Sequence, residues 1–241
     1  MSRQTAPRNL ARHRVRRAGW LALALLLLLC VGWGANVLLH PTLTPVDLPS
    51  VVDARLKAGD LIFRIGNEWQ GDAVRGMASI LASREKRGDP YSHVGMLIGA
   101  PERWQVLHAV PSEVAGRASA VVVDELDFFL APERTRGIAI YRVEADEEAR
   151  AAAVHHARSR LGTPFRLVAN DTEGQYCTTL VWYAWQHAGI DLGARFEHLN
   201  APLAAGDYLL PHSLRMAERL RLLHASGDNA LSSITTDSRT P

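Results

Sequence analysis

Cys177, His93 and His108 are the residues of this chain whose types and placement suggest covalent chemistry. Cys177 stands in the first turn of a helix predicted over residues 175–188, where the positive end of the backbone dipole and the unpaired amides favour thiolate over thiol. Such a nucleophile needs a base within hydrogen-bond reach and a third polar group to orient that base. His93 stands near the start of one strand-like run, 92–98, and His108 near the end of the next, 104–109. If these runs form a hairpin turning about Ala100-Pro101, paired residue numbers sum to 201 and His93 lies directly opposite His108. Their Cβ atoms would then be roughly 4.5–5.5 Å apart on one face. A slip of one residue would throw one of them to the other face. Either histidine alone reads more readily as an edge residue of a strand, but the pair with a helix-start cysteine favours a nucleophile and its base.

The elements that must position these groups form an α+β pattern. Residues 60–65 read as a short apolar strand after Gly59, and residues 70–83 carry helical spacing in Val74, Met77, Ile80 and Leu81. Four runs follow, 92–98, 104–109, 120–123 and 138–143, rich in β-branched and aromatic residues and separated by turn formers, which predicts an antiparallel sheet. Residues 146–161 have acidic residues at the start, arginines in the last turn and Gly162 just beyond, the signature of a helix, with His155 and His156 expected to face solvent. In the cysteine helix, Cys177, Leu180, Val181, Ala184 and Ala188 recur on one face, so Cys177 heads the buried stripe. Residues 214–223 read as a last helix, and 226–241 are polar and patternless, as expected of a disordered tail.

The N-terminal residues imply a place for the domain. Residues 18–39 are 22 positions without a charge. That is enough, at about 1.5 Å per helical residue, to cross a hydrocarbon core of about 30 Å. Residues 1–17 carry Arg3, Arg8, Arg12, Arg14, Arg16 and Arg17 and no acidic residue, which keeps this end cytoplasmic and sends the remainder outward. Residues 18–39 are therefore expected to be a single transmembrane anchor, with a cleaved signal peptide as the competing reading. Residues 40–50, with Pro41, Pro45 and Pro49, form a stalk to a domain over 51–225 that faces the extracytoplasmic, periplasmic side. Subtracting the six arginines from the formal net charge of +2 leaves −4 for residues 41–241, which argues against a nucleic-acid partner.

Cys30 lies within the apolar segment, out of reach of Cys177, so no intramolecular disulfide is expected. The leucines before Cys30 also argue against lipidation. A cysteine left in thiol form in an oxidising compartment is a hazard unless it has a use, although a buried cysteine can simply act as a small hydrophobe. No paired CxxC or HExxH spacing, no phosphate-binding glycine loop and no GxSxG elbow is present, so no metal or cofactor is expected.

Four segments taken in order are more specific than any one of them: Gly59-Asp60-Leu61-Ile62-Phe63, Tyr91-Ser92-His93-Val94-Gly95-Met96, Val106-Leu107-His108-Ala109, and Tyr176-Cys177-Thr178-Thr179-Leu180-Val181-Trp182. The set resembles the YiiX-like branch of the permuted papain-like, NlpC-type amidases over residues 57–189. In ordinary NlpC-type enzymes the cysteine helix precedes the other segments, and here it follows them. The resemblance implies that Cys177 attacks an acyl carbon, that His93 takes and returns the proton, and that His108 orients the imidazole, with Glu113 or Asp124 as substitutes for His108. It also implies an oxyanion held by the backbone amide of Cys177, a donor worth on the order of 3 kcal/mol in such sites. Tyr176, Tyr91 and Ser92 are further candidates for oxyanion or substrate contact, and Asp60 is a weaker one, since an acid in this motif more often closes a turn. Phe165 is followed by Arg166, where the family has an acidic residue.

The expected activity is hydrolysis of an amide through a thioester, with cell-wall peptide the obvious substrate for an outward-facing domain. A lipid amide or ester hydrolase or acyltransferase, favoured by membrane tethering, is the second reading. A non-catalytic peptide- or glycan-binding module is the third, and the presence of Cys177, His93 and His108 argues against it.

Overall fold

The computed structural model describes residues 46, 48–66, 89–111, 116–200 and 205–227. The expected anchor over 18–39, the helix over 70–83 and residue Glu113 lie outside these residues, as does nearly all of the tail. Among the described residues no helix is long and apolar enough to cross a membrane.

A short helix α1 (Ser50–Asp53) leads into β1 (Leu61–Gly66), followed by β2 (His93–Ala100), β3 (Arg103–Val110) and β4 (Ala120–Glu125). Then come α2 (Leu126–Leu130), β5 (Thr135–Val143), α3 (Glu147–Ser159) and α4 (Cys177–His187). The small strands β6 (Glu197–Leu199) and β7 (Gly206–Tyr208), the short helix α5 (Pro211–Arg215) and β8 (Leu220–Gly227) complete the order. Six strands form one antiparallel sheet in the order β4-β3-β2-β1-β5-β8, and β6 pairs with β7 apart from it.

Both faces of the sheet are covered, which is why β1 is buried along its whole length and shows no polar alternation. On one face Leu61, Phe63, Val94, Met96, Leu107 and Ala139 pack with α3 and α4 through Ala153, Leu180, Val181, Ala184 and Trp185. On the other, Ile62, Leu97, Val106, Ile138 and Ile140 pack with Leu126, Phe129 and Leu130 of α2. The side chain of Asp146 caps α3 by accepting from Ala149 N at 2.8 Å.

Four expectations are corrected. The predicted helix over 214–223 is instead α5 followed by strand β8, which pairs with the exposed edge of β5. Leu220, Leu222 and Leu223 have the apolar content of a helix face, but the unpaired edge of β5 offers backbone partners that no local pattern reveals. Ser226, placed in the tail, belongs to β8 and pairs with Ile138. His156 is half-buried, not solvent-facing, because its ring stacks on His187 of α4 at 3.9 Å. On α4 the buried stripe ends on Trp185, one of the largest fully buried side chains, and Ala188 is the C-cap outside the helix.

Candidate active site

The hairpin that carries the two histidines turns at Pro101-Glu102, with Ala100 opposite Arg103 and Met96 opposite Leu107. Paired numbers therefore sum to 203, two more than the sequence suggested. A shift of two preserves the face, so His93 and His108 still share one side of the sheet, but Gly95, not His93, stands across from His108. Gly95 makes the longer reach possible, since a Cβ there would lie 2.3 Å from Val106 Cγ1 and 3.2 Å from His108 Cβ. Without that Cβ the ring of His108 extends along the strand until its Nδ1 is 2.7 Å from His93 Nε2.

The row continues on β4. His108 Nε2 is 2.9 Å from Asp124 Oδ2, and Arg117 donates to both oxygens of Asp124, through Nη2 to Oδ1 at 2.7 Å and Nη1 to Oδ2 at 3.2 Å. Asp124 therefore stands behind His108; the sequence had offered it as an alternative to that histidine. His93 and His108 are buried against Phe129 of α2, with ring centroids 6.0 and 5.4 Å away. Arg64, directly across from His93 on β1, lays its guanidinium over the same phenyl ring at 4.7 Å. Burial, the Arg64 charge and His108 together push His93 well below the ordinary imidazole range, so it is neutral near pH 7.

Cys177 is the first residue of α4, as its place in the sequence suggested, and is buried. The preceding Tyr176 is the N-cap, in extended conformation, with its N–H bonded to Thr179 Oγ1. The loop before it is organised by Asp171, which the sequence reading missed. Its carboxylate accepts from Glu173 N at 2.8 Å, Gln175 N at 2.7 Å and Thr179 Oγ1 at 2.5 Å, tying the loop to the first turn of the cysteine helix. The signal available was the turn-forming run Asn170-Asp171-Thr172-Glu173-Gly174, in which Asn170 and Gly174 both have positive φ.

Helix α4 packs across β2 and β3, the strands that carry the imidazoles. Cys177 belongs to the cluster on the helix side of the sheet, whereas His93 and His108 lie on the side of Phe129. His93 is the first residue of β2. Among the described residues His93 makes a side-chain hydrogen bond through Nε2, to His108.

The remaining candidates occupy structural positions. The hydroxyl of Tyr176 accepts from Leu209 N at 3.0 Å within a cluster with Leu199, Tyr208 and Leu210, and burial holds it above the usual phenol range. Ser92 Oγ accepts from Gly66 N at 3.1 Å. Tyr91 packs edge-on to Phe63 and beneath the guanidinium of Arg215. Asp60 precedes β1, and Arg64 marks the level of His93, so about 13 Å of strand separates Asp60 from the imidazole row. There it holds Arg142 through two bonds of 2.9 and 2.6 Å and approaches Arg150 of α3 at 3.5 Å.

The chain belongs to the permuted papain-like amidase family of the YaeF/YiiX, C92 type, whose family model matches residues 55–208. Membership supports a hydrolase of the amidase class. Among solved structures the chain is similar to the metalloprotein yiiX from Escherichia coli O157:H7, with a TM-score of 0.55 and 21% identity over 71% of this chain and 98% of that one. No curated protein matches the chain significantly. That relative is described as a metalloprotein; in this chain the imidazole row offers no ligand set, because His108 engages His93 and Asp124 through its two nitrogens and both oxygens of Asp124 are held by Arg117. Among the described residues no group of three or more His, Cys, Asp or Glu side chains could hold a metal ion.

Proposed function

We propose that the protein is a cysteine hydrolase that cleaves an amide, with Cys177 as nucleophile, His93 as general base and acid, and His108 as the group that orients His93. The observation that carries this reading is the 2.7 Å contact between His93 Nε2 and His108 Nδ1, on strands crossed by a helix that begins with Cys177.

In the proposed reaction the Sγ proton of Cys177 moves to His93 Nδ1, and the sulfur electron pair forms a bond to the acyl carbon. The carbon–nitrogen bond then breaks as the proton on Nδ1 passes to the departing amine, leaving a thioester. Water, deprotonated by the same nitrogen, hydrolyses the thioester and restores the thiol. Because His93 is neutral near pH 7, it is in the form that can accept a proton. The backbone N–H of Cys177, at a helix start, is the natural donor to the oxyanion.

Substrate and location follow the same proposal: peptide amides, cell-wall peptides first, reached from a domain anchored by residues 18–39 on the extracytoplasmic side. The test is alkylation of Cys177 by iodoacetamide as a function of pH, located by mass spectrometry, in the native chain and in His93→Ala. An activated thiol reacts below the usual thiol pKa of about 8.5, and its profile moves upward in the variant. An inert thiol, or identical profiles, would overturn the assignment in favour of a binding module.

A further inference from the structure

We propose that Asp124, clamped by Arg117, is a positioning residue that decides which nitrogen of His93 carries the proton and which faces the thiol. This rests on the assignment of Cys177 and His93 above and adds the device that makes His93 a competent base.

A neutral imidazole has one N–H and one lone pair, and an ionised carboxylate can only accept. Arg117 donates to both oxygens of Asp124, so Asp124 is held as the anion. Burial opposes that charge, but the bonds from His108 and Arg117 outweigh it and keep the carboxyl below the usual aspartate range. With His108 neutral, its Nε2, 2.9 Å from Asp124 Oδ2, is the donor, which leaves a lone pair on His108 Nδ1. That lone pair, 2.7 Å from His93 Nε2, requires the proton of His93 to sit on Nε2. His93 Nδ1 is left as a bare acceptor, the nitrogen the proposed reaction needs for the Sγ proton. One carboxylate on β4 thus orders two imidazoles, and Nδ1 receives the Sγ proton without any prior rearrangement.

Arg117 also makes the order testable. In Asp124→Asn the shorter of its two bonds, Nη2 to Oδ1 at 2.7 Å, selects the amide carbonyl and turns the amide NH2 toward His108. The amide then donates where the carboxylate accepted, and every proton in the row moves to the opposite nitrogen. His93 would present N–H to the thiol.

The experiment is nitrogen-15 NMR of histidine-labelled full-length chain near neutral pH, with parallel measurement of Cys177 acylation by p-nitrophenyl acetate. The wild type is expected to show Nε2–H tautomers at both His93 and His108, and an Nδ1–H at either overturns the proposal whether or not any variant folds. Asp124→Asn is expected to invert both tautomers and slow acylation on the order of 10⁴-fold, the scale seen when a triad aspartate is so replaced. Asp124→Glu keeps the Nε2–H tautomers and recovers most of the rate. Unchanged tautomers in Asp124→Asn, or equal losses in the Asn and Glu variants with both folded, would reduce Asp124 to a structural role. If the wild-type tautomers are as expected but Cys177 is not acylated, the nucleophile assignment fails and the proton order stands.

Discussion

Asp60 and Asp124 are buried carboxylates each gripped by arginine, and of these two only Asp124 enters the proposed chemistry. Asp60 is bound by Arg142 and Arg150 and by the backbone N–H of Lys57, so its partners are charges and an amide that keep their protons throughout the accessible pH range. Asp124 is held by Arg117 on one side but ends on His108 on the other, and His108 ends on His93. The difference lies in what stands at the far end. Asp60, closed off by arginine, fastens strands and a helix, whereas Asp124, which ends on the imidazole row, is the one we propose to set the position of a proton.

Replacements separate the two roles. The largest effect is expected from His93→Ala, which should slow acylation of Cys177 by 10²–10⁴-fold or about 3–5.5 kcal/mol of barrier, with little change in the unfolding midpoint. Rates with p-nitrophenyl acetate and a denaturant titration on the same variant check both halves. Asp60→Ala should show the reverse. It strands Arg150 in the interior and should cost about 3–5 kcal/mol of stability, read by denaturant unfolding, while the folded fraction keeps its acylation rate. A large rate loss at unchanged stability would return Asp60 to the site.

Asp171→Ala is expected to be intermediate. It removes the acceptor of Gln175 N and Thr179 Oγ1 beside the cysteine helix, and should lower stability by about 1–3 kcal/mol and increase hydrogen exchange in residues 171–179. The smallest effect is a shift of pH dependence in Arg64→Met. His93 must be neutral to accept a proton, and its pKa in the folded chain lies below 6.5, so acylation should persist below pH 6.5 and fall only as the pH drops through the folded value. Removing the Arg64 charge raises that value and brings the acid limb up toward pH 6.5, which a pH–rate profile detects. An acid limb that does not move would show that burial and His108, not Arg64, set the basicity of His93.

Much of this was legible along the chain because it rests on local chemistry. A short apolar run marked β1, runs rich in β-branched and aromatic residues between turn formers marked β2 to β5, and acidic and basic ends marked α3. Cys177 could be placed at a helix start because the apolar stripe that follows it has helical spacing. The shared face of His93 and His108 survived an error of two in register, since side chains on a strand repeat every two residues.

What only the tertiary structure decided involves partners distant in sequence. The two-residue turn at Pro101-Glu102 put Gly95 opposite His108, and the missing Cβ there allowed a 2.7 Å contact that direct pairing had not implied. Asp124 became the end of the imidazole row because β4 pairs with β3, and Asp60 became a structural clamp because α3 brings Arg150 to it. Residues 220–227 became a strand because β5 left an edge to be paired. A sequence determines periodicity, charge and backbone freedom by itself, since these are properties of neighbouring residues. Which donor meets which acceptor across the sheet depends on register and packing, and these exist only once the chain has closed.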